Sequence, residues 1–131
     1  MKSKFKFALV ILIISLSIFS CQKKDNTIVG KWQHLLIIGQ SNLGTDTLDM
    51  TQYPPTYNTF REDSTLLVTN GEQEVNVRYF VRENRLYSFA LGAIDTSIME
   101  IAKLTSKELI LKVMIDHQDQ REESLYYKRI E

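Results

Sequence analysis

The chain has 131 residues, with 16 basic and 16 acidic side chains, 44% hydrophobic residues and one cysteine. That length suits a single domain, and a lone cysteine excludes an intrachain disulfide framework. A balanced charge without a basic patch makes nucleic acid a poor partner.

The first segment is MKSKFKFALVILIISLSIFSC. Lys2, Lys4 and Lys6 form a positive start, and Phe7 to Phe19 is apolar except for Ser15 and Ser17. This pattern reads as a secretory signal, since a membrane span needs about 20 apolar residues. Ile18-Phe19-Ser20-Cys21 resembles the lipobox of bacterial lipoproteins. The resemblance implies cleavage before Cys21, a diacylglycerol thioether on its sulfur and acylation of the new amino terminus. Several acyl chains make such an anchor stable. Residue 22 is Gln rather than Asp, which by the sorting rule of enteric bacteria implies delivery to the outer membrane. The expected organisation is a signal peptide over 1–20, a lipidated tether over 21–27 and one domain over 28–131. Removing the signal leaves 13 basic against 16 acidic residues. The polar tether after Cys21 reaches roughly 20 Å when extended, which keeps the domain near its membrane.

The domain reads as all-β. Turn signals recur at the spacing of a sandwich or barrel. Strands are predicted over 29–38, 56–61, 65–69, 74–82, 85–91, 97–104, 108–115 and 123–130. In the fourth, Val75, Val77, Tyr79 and Val81 alternate with Asn76, Arg78, Phe80 and Arg82; in the seventh, Leu109, Leu111, Val113 and Ile115 share a face. Both have the period of two of a half-buried strand. A helix over 98–115 competes, but β-branched and alternating content favours two strands.

The connections fall into two sets. Those after the second, fourth and sixth strands are tight. Those after the odd strands are generally longer, and the longest spans 39–55. One end is therefore stitched shut and the other is ringed by loops. This pattern fits a closed eight-stranded antiparallel up-and-down barrel better than a Greek-key sandwich. Closure also removes aggregation-prone edges. A barrel of eight strands either fills with side chains or holds one small ligand.

The first strand carries Gly30-Lys31-Trp32 at the closed end, and the last strand brings Arg129 to that same end. This arrangement resembles the lipocalins, in which a Gly-x-Trp packs under the barrel and a late arginine crosses the indole. The whole chain is similar to the short lipocalin-like lipoproteins of Gram-negative bacteria. The resemblance implies a cavity for a small apolar ligand, with Gly30, Trp32 and Arg129 as structural signature residues. A cation on the indole face requires the guanidinium within about 6 Å of the ring.

Catalytic motifs are absent: there is no G-x-S-x-G elbow, H-E-x-x-H pair or Walker A loop. No enzyme, cofactor or metal site is predicted. His34 reads as a wall or core histidine. Asp116-His117-Gln118-Asp119 could meet a divalent cation, but it reads better as a solvated turn. The candidate ligand contacts are Leu36, Val77, Tyr79, Leu111 and Val113 inside the barrel. Leu48, Met50 and Tyr53 join them from the 39–55 segment, read either as a flap over the mouth or as a passive excursion. Leu35, Ile37, Tyr87 and Phe89 could form an outward apolar patch. Two readings follow. One is a membrane-tethered protein that binds a small apolar or amphipathic molecule at the barrel mouth, which points away from the anchoring bilayer. The other is a filled barrel that meets a protein partner through its loops or outer face.

Overall fold

The computed structural model describes residues 27–131, so the predicted signal peptide, Cys21 and the tether up to residue 26 lie outside the described residues. Nine strands form one antiparallel sheet: β1 (Gly30–Ser41), β2 (Gly44–Asp49), β3 (Thr56–Phe60), β4 (Thr65–Asn70), β5 (Gln73–Arg82), β6 (Arg85–Phe89), β7 (Ser97–Leu104), β8 (Glu108–Asp116) and β9 (Arg121–Arg129). From β3 to β9 each strand pairs with the next, and β9 pairs back onto β1. The result is a closed eight-stranded up-and-down barrel with β2 as one extra strand.

The extra strand changes the reading of the 39–55 segment. β1 continues to Ser41, turns through Asn42 and Leu43, and returns as β2. The Ser41 hydroxyl accepts from the Leu43 N–H within the turn, and the Asn42 N–H donates to the Asp119 carbonyl at 3.3 Å, which ties the turn to the β8–β9 connection. One edge of β1 is thereby shared. Its lower half, Gly30–Gln33, pairs with β3, and its upper half, Leu36–Ser41, pairs with β2. A single 3-10 turn at Met50–Gln52 follows, capped by the Asp49 side chain. The segment therefore extends the barrel wall upward.

A bulge between His34 and Leu36 explains why β1 is apolar on both faces. An extra residue inverts the alternation that follows it. Trp32 and His34 point inward below the bulge, and Ile37 and Gly39 do so above it, opposite the inward Leu125 and Glu123. Leu36 lies opposite Tyr126 on the outer side. The expectation that Leu36 lines the interior is thus corrected: it assumed unbroken alternation from Trp32.

The core fills the stitched end. Trp32, Phe60, Leu109 and Leu111 are fully buried, joined by Ile28, Leu66, Tyr79, Leu86, Leu125 and Tyr127. Burying each large apolar side chain contributes about 1.5–3 kcal/mol. Tyr79 meets Phe60 edge-on at 5.0 Å between ring centres, and its hydroxyl donates to the Arg61 carbonyl at 2.7 Å. The aromatic pair thus anchors the β3–β4 turn to the barrel floor.

Candidate functional site

The floor is built around Trp32. Its indole N–H donates to the Ile28 carbonyl at 2.8 Å. The Arg129 guanidinium carbon lies 4.2 Å from the ring centre, and its terminal nitrogens donate to the Val29 carbonyl at 2.7 Å and the Thr27 carbonyl at 2.5 Å. Gly30 has a φ of 138°, and a Cβ there would collide with the Arg129 guanidinium. Gly30, Trp32 and Arg129 therefore act as one plug where the chain enters the barrel. A fully buried indole held in this way makes a structural contact and presents no surface to a ligand.

Above the plug sits a polar layer. The His34 ring stacks on Tyr127 at 4.5 Å and 18°. Burial lowers the His34 pKa, partly offset by its hydrogen bond with the Leu36 backbone, so the imidazole is neutral at pH 7. Its Nε2 is buried and has no partner among the described residues. Burial also pushes the Tyr127 phenol up to about 12, opposed by a hydrogen bond with Asn58.

Toward the mouth the inward side chains become more exposed. Along the inward face of β5, Tyr79 is buried, Val77 is half-buried and Val75 is 55% exposed. On β8, Leu109 and Leu111 are buried, and Val113 is half-buried. Ile37 and Val68 also face this upper region; Val68 lies opposite Val75, and Leu48 lies opposite Ile37. Apart from the His34 layer and Glu123, these inward residues are apolar, packed below and more exposed above.

A polar lip crowns it. The Arg121 guanidinium lies 3.4 Å from the Asp46 carboxylate and 3.2 Å from the Glu123 carboxylate. Gly39 makes room for this group, because a Cβ there would collide with the Asp46 carboxylate. The mouth end thus combines inward apolar side chains with a charged rim.

The predicted contacts separate by depth. Val77, Val113 and Leu48 line the upper lumen, whereas Tyr79 and Leu111 belong to the packed floor. Met50 is half-buried in the 3-10 turn, and Tyr53 beyond it is 54% exposed. Ile37, Val68 and Val75 complete the wall. Val75 was already legible in the alternation of its strand. Asp46 and Arg121 were not legible as partners, since 75 residues separate them.

Two further features lie on the outer wall and around the hairpin tip. On the outer wall Phe80 stacks on Tyr87 at 4.6 Å and 6°, with Phe89 edge-on to Phe80 and Ile98 opposite Tyr87. Phe80 and Ile98 are 46% and 51% exposed. Recesses of about 270 Å³ and 550 Å³ flank the tip of the β1–β2 hairpin, the first lined by Leu43, Thr45, Asp46 and Arg121 and the second by Gln40, Asn42, Gln120 and Glu122. Among the described residues no group of three or more His, Cys, Asp or Glu side chains could hold a metal ion, and no helix is long and apolar enough to cross a membrane.

Fold and site together define a small antiparallel β-barrel with a plugged floor, inward apolar side chains that grow more exposed toward the other end, and a charged rim there. No family model matches the chain, and no curated protein matches its sequence.

Proposed function

We propose that this protein is a lipid-anchored, lipocalin-like lipoprotein of the outer membrane that takes a small apolar or amphipathic molecule into the upper half of its barrel. The observation that carries this reading is the gradient along the inward face of β5, from buried Tyr79 through half-buried Val77 to exposed Val75 at the mouth end. Apolar side chains held on an inward face yet left to water are stabilised when a ligand covers them. The plug lies where the tether enters, so the mouth opens on the side away from the anchoring bilayer. In this reading the ligand is bound rather than transformed.

Native mass spectrometry of the purified mature protein tests the reading. A co-purifying small molecule that is lost in Val77→Asp, with the fold retained, is the expected result. Apo protein in every preparation, or retention of the molecule by Val77→Asp, would refute it. The mass of the amino-terminal fragment tests the anchor separately, because acylation of Cys21 adds a lipid that Cys21→Ser cannot carry.

A second reading rests on the outer wall. The stacked Phe80–Tyr87 pair with Phe89 and Ile98 has the aromatic character of a protein interface. A specific protein partner in the same spectra, released by Phe80→Ala, would favour this reading over the first.

A further inference from the structure

Among the described residues, β2 is the one strand of the sheet with an unpaired side. Its inner edge pairs with β1, while all six of its residues are exposed and no backbone hydrogen bond joins its outer edge to the described residues. Such an edge presents a row of free N–H and C=O groups that an extended chain can complete.

The charge around that edge is one-sided. The mouth-end segments, 34–58, 67–77, 88–99 and 110–126, hold nine acidic and two basic residues. Both basic residues are already engaged, Lys112 with Glu122 at 3.2 Å and Arg121 with Asp46 and Glu123. The floor-end segments, 27–33, 59–66, 78–87, 100–109 and 127–131, hold nine basic and six acidic residues. The free edge thus lies in the strongly negative half of a polarised barrel. A second copy docking there would bring two acidic mouths together, which Coulomb repulsion opposes. A cationic guest is drawn to the same field. The recess lined by Thr45 and Asp46 of β2 offers space for a side chain of that guest.

We propose that the outer edge of β2 is a docking site for an extended, lysine- or arginine-rich segment of a partner protein, which adds to the sheet as a further strand. Main-chain hydrogen bonds along Thr45, Asp46, Thr47 and Leu48 supply the pairing, and the acidic mouth supplies the selectivity. The pairing uses the backbone edge of β2 rather than the inward side chains of Asp46 and Leu48, so it stands whether or not a small molecule binds inside the barrel.

The test is fluorescence anisotropy with the full chain in non-ionic detergent. The probes are dye-labelled octapeptides of alternating Lys-Val and of alternating Glu-Val. The Lys-Val peptide is expected to bind at least about tenfold more tightly, with affinity falling as salt rises from about 50 to 300 mM. Thr47→Pro and Leu48→Pro locate the site, since adjacent residues of a strand point their N–H groups to opposite edges. The variant that keeps the wild-type melting temperature is the one whose N–H faced outward, and it should lose binding about tenfold or more. Thr47→Ala and Leu48→Ala should bind within about twofold of wild type, since backbone pairing survives them. Equal binding of the two peptides would overturn the proposal, as would undiminished binding by the fold-retaining proline variant. Self-association abolished by that same variant, with no peptide binding, would overturn it in favour of pairing between copies.

Discussion

The Arg129 guanidinium carbon lies 4.2 Å from the centre of the Trp32 ring while its nitrogens hold the Val29 and Thr27 carbonyls. One side chain thus fastens the first strand, the last strand and the incoming chain together. A cation over an indole contributes roughly 0.5–2 kcal/mol. Truncation also deprives two carbonyls of their donor. Arg129→Ala is expected to lower stability by about 2–3 kcal/mol in urea titration. Arg129→Lys should recover little, because an ammonium cannot fork onto two carbonyls while lying flat on a ring.

Gly30 is coupled to that contact. At φ 138° an added methyl is strained, and its Cβ would collide with the guanidinium and lie 2.7 Å from the Glu131 carbonyl oxygen. Gly30→Ala should cost about 2 kcal/mol. In a double-mutant cycle with Arg129→Ala the two losses should fall short of additive, since removing the guanidinium clears one of the collisions.

The barrel was legible where strands bury one face. The predicted strand 85–91 became β6, and 108–115 became β8 almost unchanged, because alternating apolar residues record which side meets the core. β2 was missed for the same reason: it buries none of its six residues, so Gly44–Asp49 leaves no burial pattern to read. The Trp32–Arg129 contact could be anticipated from antiparallel closure of the first and last strands. The position of Leu36 could not, because one bulge residue inverts the strand and nothing in Leu35-Leu36-Ile37-Ile38 marks where it falls. Depth was equally hidden. Tyr79 and Val75 share a face, but only the assembled barrel shows that one lies in the floor and the other at the rim.

Gly39 offers a probe of the lip. A side chain there would displace the Asp46 carboxylate from above it and weaken its contact with Arg121. That ion pair is largely exposed, so its contribution to stability is small. Gly39→Ala is therefore expected to shift the melting temperature only slightly while changing the binding of any charged-headed ligand. A large drop in melting temperature with unchanged binding would assign Gly39 to the fold alone.

His34 should make the protein sensitive to mild acid. Burial holds its folded pKa below the ordinary 6.5. Between the two values the unfolded chain binds a proton that the folded chain does not, so stability rises with pH across that window. The contribution is complete above about pH 6.5 and is lost as pH falls through the folded pKa. His34→Phe removes the titrating group and the orphaned Nε2 while keeping a ring against Tyr127. Its melting temperature should be nearly flat between about pH 5.5 and 7, where the wild type declines. Equal slopes for the two proteins would show that another group carries the transition.

Tyr127 sets the opposite limit. Its phenol is raised from 10.0 to about 12 by burial, against the opposing hydrogen bond with Asn58. Here the folded state keeps a proton that the unfolded state loses, so the sign reverses. The contribution is fully present below about pH 10 and is lost as pH rises through about 12. Two pH units correspond to about 3 kcal/mol, enough to drive much of an alkaline transition in a small domain. Tyr127→Phe cannot ionise and keeps the stack on His34, while leaving the Asn58 amide without its phenol partner. It should be somewhat less stable at pH 8 yet unfold at a higher pH than wild type. Alkaline titration followed by far-ultraviolet circular dichroism reads both effects, and coincident alkaline midpoints for the two proteins would remove Tyr127 as the cause.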